Sequence, residues 1–345
     1  MSRALVVSGG GSRGAFAVGV IKDLIEIYQL RFTAMIGTST GALIVPLAAA
    51  GEIHSLVKLY TTVTDDDIYI RYNLGDRINR SAVFSFEPLT EKIKTIYTDD
   101  FFERLKRSGT DIYLTTVCLQ TQELVVFTTA EHPPGNSYYL TRKLQNGEQF
   151  RRAVLASASQ PVLLPPVKVN KLIRGEPFPE YQFVDGGVRE FAGVGIAMDT
   201  KASEIFTVLT STQPPVPDSK TFEALLPMLM RTIDLFVTDV ADNDLYVPNL
   251  YNDALKYIDR IRSNMRKQGV PEEKIRSYFK QEKPDPRFDE RTPAKIYLVR
   301  PEKPLGGGPG GLTFDPAEMT GMLADGRTAL QDYVATLPQS WEEPA

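Results

Sequence analysis

Residues 37–41 read Gly37-Thr38-Ser39-Thr40-Gly41, a G-x-S-x-G pattern set between two apolar runs. Glycines around a serine permit a sharp strand-to-helix turn that presents the hydroxyl above a sheet edge, as a nucleophile requires. Ser39 or Thr40 serves equally well as an ordinary helix N-cap, so the pattern alone leaves both readings open. A second turn, Gly9-Gly10-Gly11-Ser12-Arg13-Gly14, also follows an apolar run and opens a helical pattern. Such a turn brings backbone N–H groups and a helix N-terminus to bear on an anion, either a pyrophosphate or a developing oxyanion. The dinucleotide reading expects an acidic residue about 20 positions on, to hold the ribose. Residues 31–36 read Arg-Phe-Thr-Ala-Met-Ile and contain no acid.

A nucleophilic serine needs a base. The chain has two histidines, His54 and His132, and none follows position 132, where the Ser, acid, His order of an α/β-hydrolase expects one. Both are better read as surface or packing residues, which turns attention to a carboxylate. Asp185 stands out: Phe183-Val184 leads into Asp185-Gly186-Gly187, although Asp-Gly is also the commonest hairpin tip. The single cysteine, Cys118, excludes a disulfide framework and a cysteine-based zinc site. Asp65-Asp66-Asp67 lacks the EF-hand pattern and reads as a solvated acidic loop. No metal is expected.

Taken in order, the turn at 9–14, the elbow at 37–41 and the Asp-Gly-Gly at 185–187 resemble the patatin-like phospholipase family. Leu155-Ala156-Ser157-Ala158-Ser159-Gln160-Pro161, with Pro165-Pro166-Val167, is similar to the family's Ala/Ser-rich helix and proline run. The resemblance covers about residues 3–210 and weakens around Phe314–Gly326. It implies Ser39 as nucleophile and Asp185 as general base of a dyad. It also implies an oxyanion hole from Gly9, Gly10, Gly11, Ser12, Arg13 and Gly14, chiefly the N–H groups of Gly10 and Gly11. Gly37, Thr38, Thr40 and Gly41 would then shape the elbow, and Gly186 and Gly187 the base turn. The implied substrate is a phospholipid, lysophospholipid or acylglycerol ester at a membrane or micelle surface, without cofactor. One departure stands in the sequence: many members carry an asparagine shortly after Asp-Gly-Gly, whereas this chain reads Val188-Arg189-Glu190-Phe191.

The elements that must position these residues follow from hydrophobic period. Residues 4–8 and 32–36 read as buried strands, and Ala15, Val18, Ile21, Leu24/Ile25 and Tyr28 recur at helical spacing. Ala42–Ala50 continues as a helix that Pro46 should kink. Strand, turn and helix twice in succession predict a parallel sheet with right-handed crossovers. Further strands are expected at 111–119, 123–128, 204–210 and 295–299. Residues 61–85 and 131–150 read as surface excursions, 264–293 as an exposed helix and loop, and Leu305–Gly311 as a flexible glycine loop. Phe222–Val240 is apolar at helical spacing, which favours core over a lipid-meeting lid. The expectation is an α/β fold, three-layer α/β/α with a mainly parallel central sheet. It forms one domain over 1–345, with a core at about 3–210 and helical and strand additions at 211–345.

The whole composition limits function further. Of 345 residues, 39 are Lys or Arg and 43 Asp or Glu, giving a net charge of −4. A nucleic-acid binder needs a basic face, so that class is disfavoured. The apolar run Ala42–Ala50 is too short to span a bilayer, and the N-terminus lacks a signal-peptide core. The reading is a cytoplasmic protein that reaches lipid by peripheral contact, with Phe222–Met230 the leading apolar candidate. Its rivals are a nucleotide-binding protein using the 9–14 turn and a catalytically silent scaffold of the same fold.

Overall fold

Strands covered on both faces are apolar throughout, and the first one, β1 (Arg3–Val7), is buried along its whole length. A computed structural model describes residues 2–72, 80–135, 138–169, 181–213, 221–279 and 292–337. Beyond β1 the strands are β2 (Ala34–Gly37), β3 (Ile70–Arg71), β4 (Phe84–Ser85), β5 (Asp111–Cys118) and β6 (Leu124–Thr128). Then come β7 (Tyr139–Lys143), β8 (Val167–Lys168), β9 (Gln182–Asp185), β10 (Glu204–Val208) and β11 (Lys295–Val299). The main sheet runs β11-β10-β1-β2-β5-β6-β7, with β9 antiparallel on β5 and β8 on β9. All its other neighbours are parallel except β5 and β6.

Because side chains alternate along a strand, β1 feeds two cores. Leu5 and Val7 point into one with helices α1 (Gly14–Glu26), α2 (Thr40–Ala49) and α3 (Ile53–Thr62). Ala4 and Val6 point into the other, with the helix Val194–Asp199 and Leu245 and Leu255 of a long helix, Leu225–Lys267. Helices on both faces of a mainly parallel sheet make the expected three layers. The sheet takes strands from both ends of the chain, since β11 pairs with β10. The C-terminal helix Pro316–Ala335 crosses α1 closely: a Cβ on Gly326 would stand 2.0 Å from the Phe16 carbonyl, and one on Gly19 2.0 Å from the Leu323 carbonyl. Buried Asp23 pairs with Arg327 at 2.9 Å across the same contact.

Three expectations change. Residues 131–150 hold β7 and the start of the helix Gly147–Ser157 (136–137 lie outside the described residues). The reason is exposure: β7 is an edge strand in which only Tyr139 is buried, so its sequence, YLTRK, carries little apolar signal. In 61–85, β3 and β4 form a small antiparallel pair, with 73–79 outside the described residues. Nor is Phe222–Val240 core. No described side chain in it is buried, and Leu225 is 87% and Phe236 68% exposed. An amphipathic period marks one apolar face without saying what covers it. The helix also runs on to Lys267, and another follows at Glu272–Phe279, while 280–291 lie outside the described residues. Helix α2 continues through Pro46 to Ala49.

Candidate active site

β1 and β2 are parallel neighbours with Val7 opposite Gly37, so the turns that follow them emerge side by side at one sheet edge. Ser39 sits there with φ 56° and ψ −123°, a strained conformation for a residue with a side chain. The glycines around it are forced by packing. A Cβ on Gly41 would lie 2.2 Å from the Val7 carbonyl, and one on Gly37 2.5 Å from the Gly41 carbonyl. Thr40 hydrogen-bonds the Tyr60 hydroxyl, and the Thr38 and Thr115 hydroxyls share a bond of 2.7 Å.

Asp185 arrives from the opposite direction. β5 pairs with β2 up to Leu114 and with β9 from Thr116 on the same edge, so the C-terminal ends of β2 and β9 face each other along β5. The Asp185 carboxylate, 5% exposed, accepts the Gly187 N–H at 2.8 Å, and the Ser39 hydroxyl acts on it from the neighbouring turn. Burial pushes its pKa up to about 6, although the Ser39 hydroxyl and the Gly187 N–H both pull it down. Gly186 must be glycine, for a Cβ there would meet Thr115 Oγ1 at 2.1 Å. The Ala/Ser-rich helix braces both residues: the Ser157 hydroxyl accepts the Ser39 N–H at 3.1 Å, and the Ser159 carbonyl accepts the Asp185 N–H at 2.9 Å.

The 9–14 turn lies against the serine, with a Gly9 Cβ position only 3.0 Å from Ser39 Cβ. Gly10 and Gly11 have φ of 141° and 59°, which favours glycine, and a tight helical turn, Gly11–Arg13, leads into α1. The first N–H groups of a helix have no partner within it, so this end offers donors and a positive dipole to an anion. The Arg13 side chain points elsewhere, donating to the carbonyls of Gly306 (3.1 Å) and Gly308 (2.8 Å). Desolvation lowers its pKa.

Those carbonyls belong to the glycine run 305–311, which the structure makes a built element of the site rather than a loose loop. A Cβ on Gly311 would stand 2.0 Å from the Gly10 carbonyl, and Gly307 N–H donates to Glu318 at 3.0 Å. Gly307, Gly308, Gly310 and Gly311 all have positive φ. Clustered glycines were the available signal, but nothing in the sequence pairs this run with a turn some 300 residues earlier.

Ser39, Asp185, Gly10 and Gly11 open into a cavity of about 1500 Å³. Its wall is mostly apolar, with Leu43 and Leu47 from α2, Leu59 from α3, Ile93, and Met230 and Phe236 from the long helix. Arg13, Arg71, Lys92 and Arg231 supply positive charge. His54 and His132 are exposed and absent from this lining. Among the described residues, no group of three or more His, Cys, Asp or Glu is arranged to hold a metal. The arrangement can move a proton from a serine hydroxyl to a carboxylate beside a set of N–H donors.

Comparison with known proteins bears on this geometry. The family model for patatin-like phospholipases matches residues 5–198, which contain all three motifs. A curated Escherichia coli protein, the "cUMP-AMP-activated phospholipase", is 40% identical over 107 residues, 29% of this chain and 30% of that protein. The match thus spans less than a third of the relative. Among solved structures, VipD from Legionella pneumophila aligns over 97% of this chain and 67% of its own at 12% identity, with a TM-score of 0.45.

Proposed function

This chain belongs to the patatin-like phospholipase family, and from that premise we propose that it hydrolyses carboxylic esters of phospholipids, lysophospholipids or acylglycerols through a Ser39–Asp185 dyad. The observation that carries the reading is the placing of Ser39, the buried Asp185 carboxylate and the Gly10-Gly11 turn together on one large apolar cavity. Asp185 takes the Oγ proton as the oxygen attacks the ester carbonyl carbon, and charge gathers on the former carbonyl oxygen. The N–H groups of Gly10 and Gly11 and the N-terminus of α1 meet that charge; one such donor is worth roughly 10²–10³ in kcat. Protonated Asp185 returns the proton to the departing alcohol, leaving an acyl ester on Ser39. Water, deprotonated by Asp185, then releases the acid and restores the hydroxyl.

A carboxylate with a pKa near 6 is ionised at neutral pH yet more basic than an ordinary aspartate, which suits this task. The apolar cavity accommodates an acyl chain. The exposed apolar residues of 225–236, of which Phe236 also lines the cavity, make peripheral contact with lipid, and no described helix is long and apolar enough to cross a membrane.

The test is a covalent fluorophosphonate probe together with mass spectrometry of a lipid extract. Wild type should be labelled at Ser39 and release free fatty acid, and Ser39→Ala should do neither while keeping its fold. A folded wild type that is neither labelled nor active would favour the silent scaffold.

A further inference from the structure

The segment after Asp-Gly-Gly, where the sequence departs from its family, is held from outside the motif-bearing core. Asp244 lies on the long helix, 9% exposed, beyond the residues 5–198 that the family model matches. Its Oδ2 accepts the N–H groups of both Phe191 and Ala192, the latter at 3.0 Å. Burial and the charge of Asp244 drive the pKa of the neighbouring Glu190 carboxyl well above the usual carboxylate range. On the other side of the same backbone, the Glu190 carbonyl accepts the Thr38 hydroxyl at 3.2 Å, one residue from Ser39.

What this clamp holds in place is the Phe191 ring. It is 7% exposed and lines the cavity. Ring atoms stand 2.8 Å from a Cβ position on Gly9 and 3.3 Å from one on Gly187. One aromatic ring thus touches both the turn beside Ser39 and the turn that donates to Asp185. Moving the 190–192 backbone moves that ring, and with it the spacing between the two turns.

We propose that Asp244 is a positioning residue, which fixes the Phe191 wedge between Gly9 and Gly187 and so sets the oxyanion turn against the base. The inference rests on the dyad reading above. A displacement near 1 Å at a reacting centre costs up to about 10²-fold in rate while leaving substrate binding largely intact. The loss therefore falls on kcat.

The experiment uses the full chain and a soluble short-chain ester, with active sites titrated by the fluorophosphonate so that kcat refers to folded enzyme. Asp244→Ala should lower kcat about tenfold or more with KM within about twofold. Asp244→Asn, which keeps an acceptor oxygen, should recover most of it. Phe191→Leu, which leaves the clamp and removes the wedge, should reproduce the loss in kcat, and it carries the test if Asp244→Ala does not fold. Unchanged kcat per titrated site in Asp244→Ala and Phe191→Leu overturns the proposal, as does a loss confined to KM. A wild type without esterase activity overturns the dyad reading instead.

Discussion

Ser39 and Asp185 are each ordinary residues in unusual surroundings. The serine has φ 56°, and the aspartate has its pKa raised by burial to about 6 against a usual 3.8. On the proposed dyad, activity needs the ionised carboxylate, so kcat/KM should fall about tenfold per pH unit below pH 6 and stay level above it. A profile whose acid limb lies near pH 4 would show the carboxylate to be unperturbed. The same shift fixes the sign of a stability effect. The charged form is the one that burial penalises, so native stability is lost as pH rises from 3.8 through 6. Asp185→Asn removes that penalty. It should be inactive yet more stable than wild type at pH 8, by up to about 3 kcal/mol at about 1.4 kcal/mol per unit, and no more stable near pH 3.5. Thermal melts at the two pH values decide it. At this scale the sequence is informative, because strain and close approach demand glycine and leave a written trace. Asp244 left no such trace, since its contacts are made to backbone groups that any residue carries, and the Ala/Ser-rich run at 155–161 stood out without marking Ser157 and Ser159 as its bracing residues.

Among the elements, the strands with continuous apolar runs are the legible ones, the edge strand β11 (KIYLV) included. β5, β6, β10 and β11 stand within two residues of where their apolar runs end. β7, at the other edge, escapes because its sequence, YLTRK, carries few apolar residues. The long helix was legible as a helix but not as a surface, since an apolar stripe looks the same under core or under lipid. Its exposed positions make the membrane reading testable. Leu225 is 87% and Leu235 55% exposed. Leu225→Asp and Leu235→Asp should each weaken binding to lipid vesicles about tenfold, in line with the burial energy of a leucine, and slow hydrolysis of packed lipid. Hydrolysis of a dispersed short-chain ester should be unchanged. Vesicle flotation and paired assays report both, and equal losses on the two substrates would remove the helix from the lipid contact.

For the molecule as a whole, two motifs at the ends of adjacent parallel strands predict a shared sheet edge, whereas the arrival of Asp185 from the opposite direction is a matter of topology. Because β2 ends against Leu114 and β9 against Thr116, the backbone of β5 serves as a ruler for the distance between serine and aspartate. Strands advance about 3.3 Å per residue and alternate faces at each step. One residue inserted between Leu114 and Thr116 should therefore turn Asp185 away and abolish activity. One inserted after Gln120, in the link between β5 and β6, should be tolerated, with circular dichroism confirming the fold in both. The long stretch of chain between Ser39 and Asp185 is thereby free to grow or shrink over evolutionary time, in its loops and in its cavity wall. New chambers can be tried on this scaffold without recalibrating the two side chains proposed to exchange the proton.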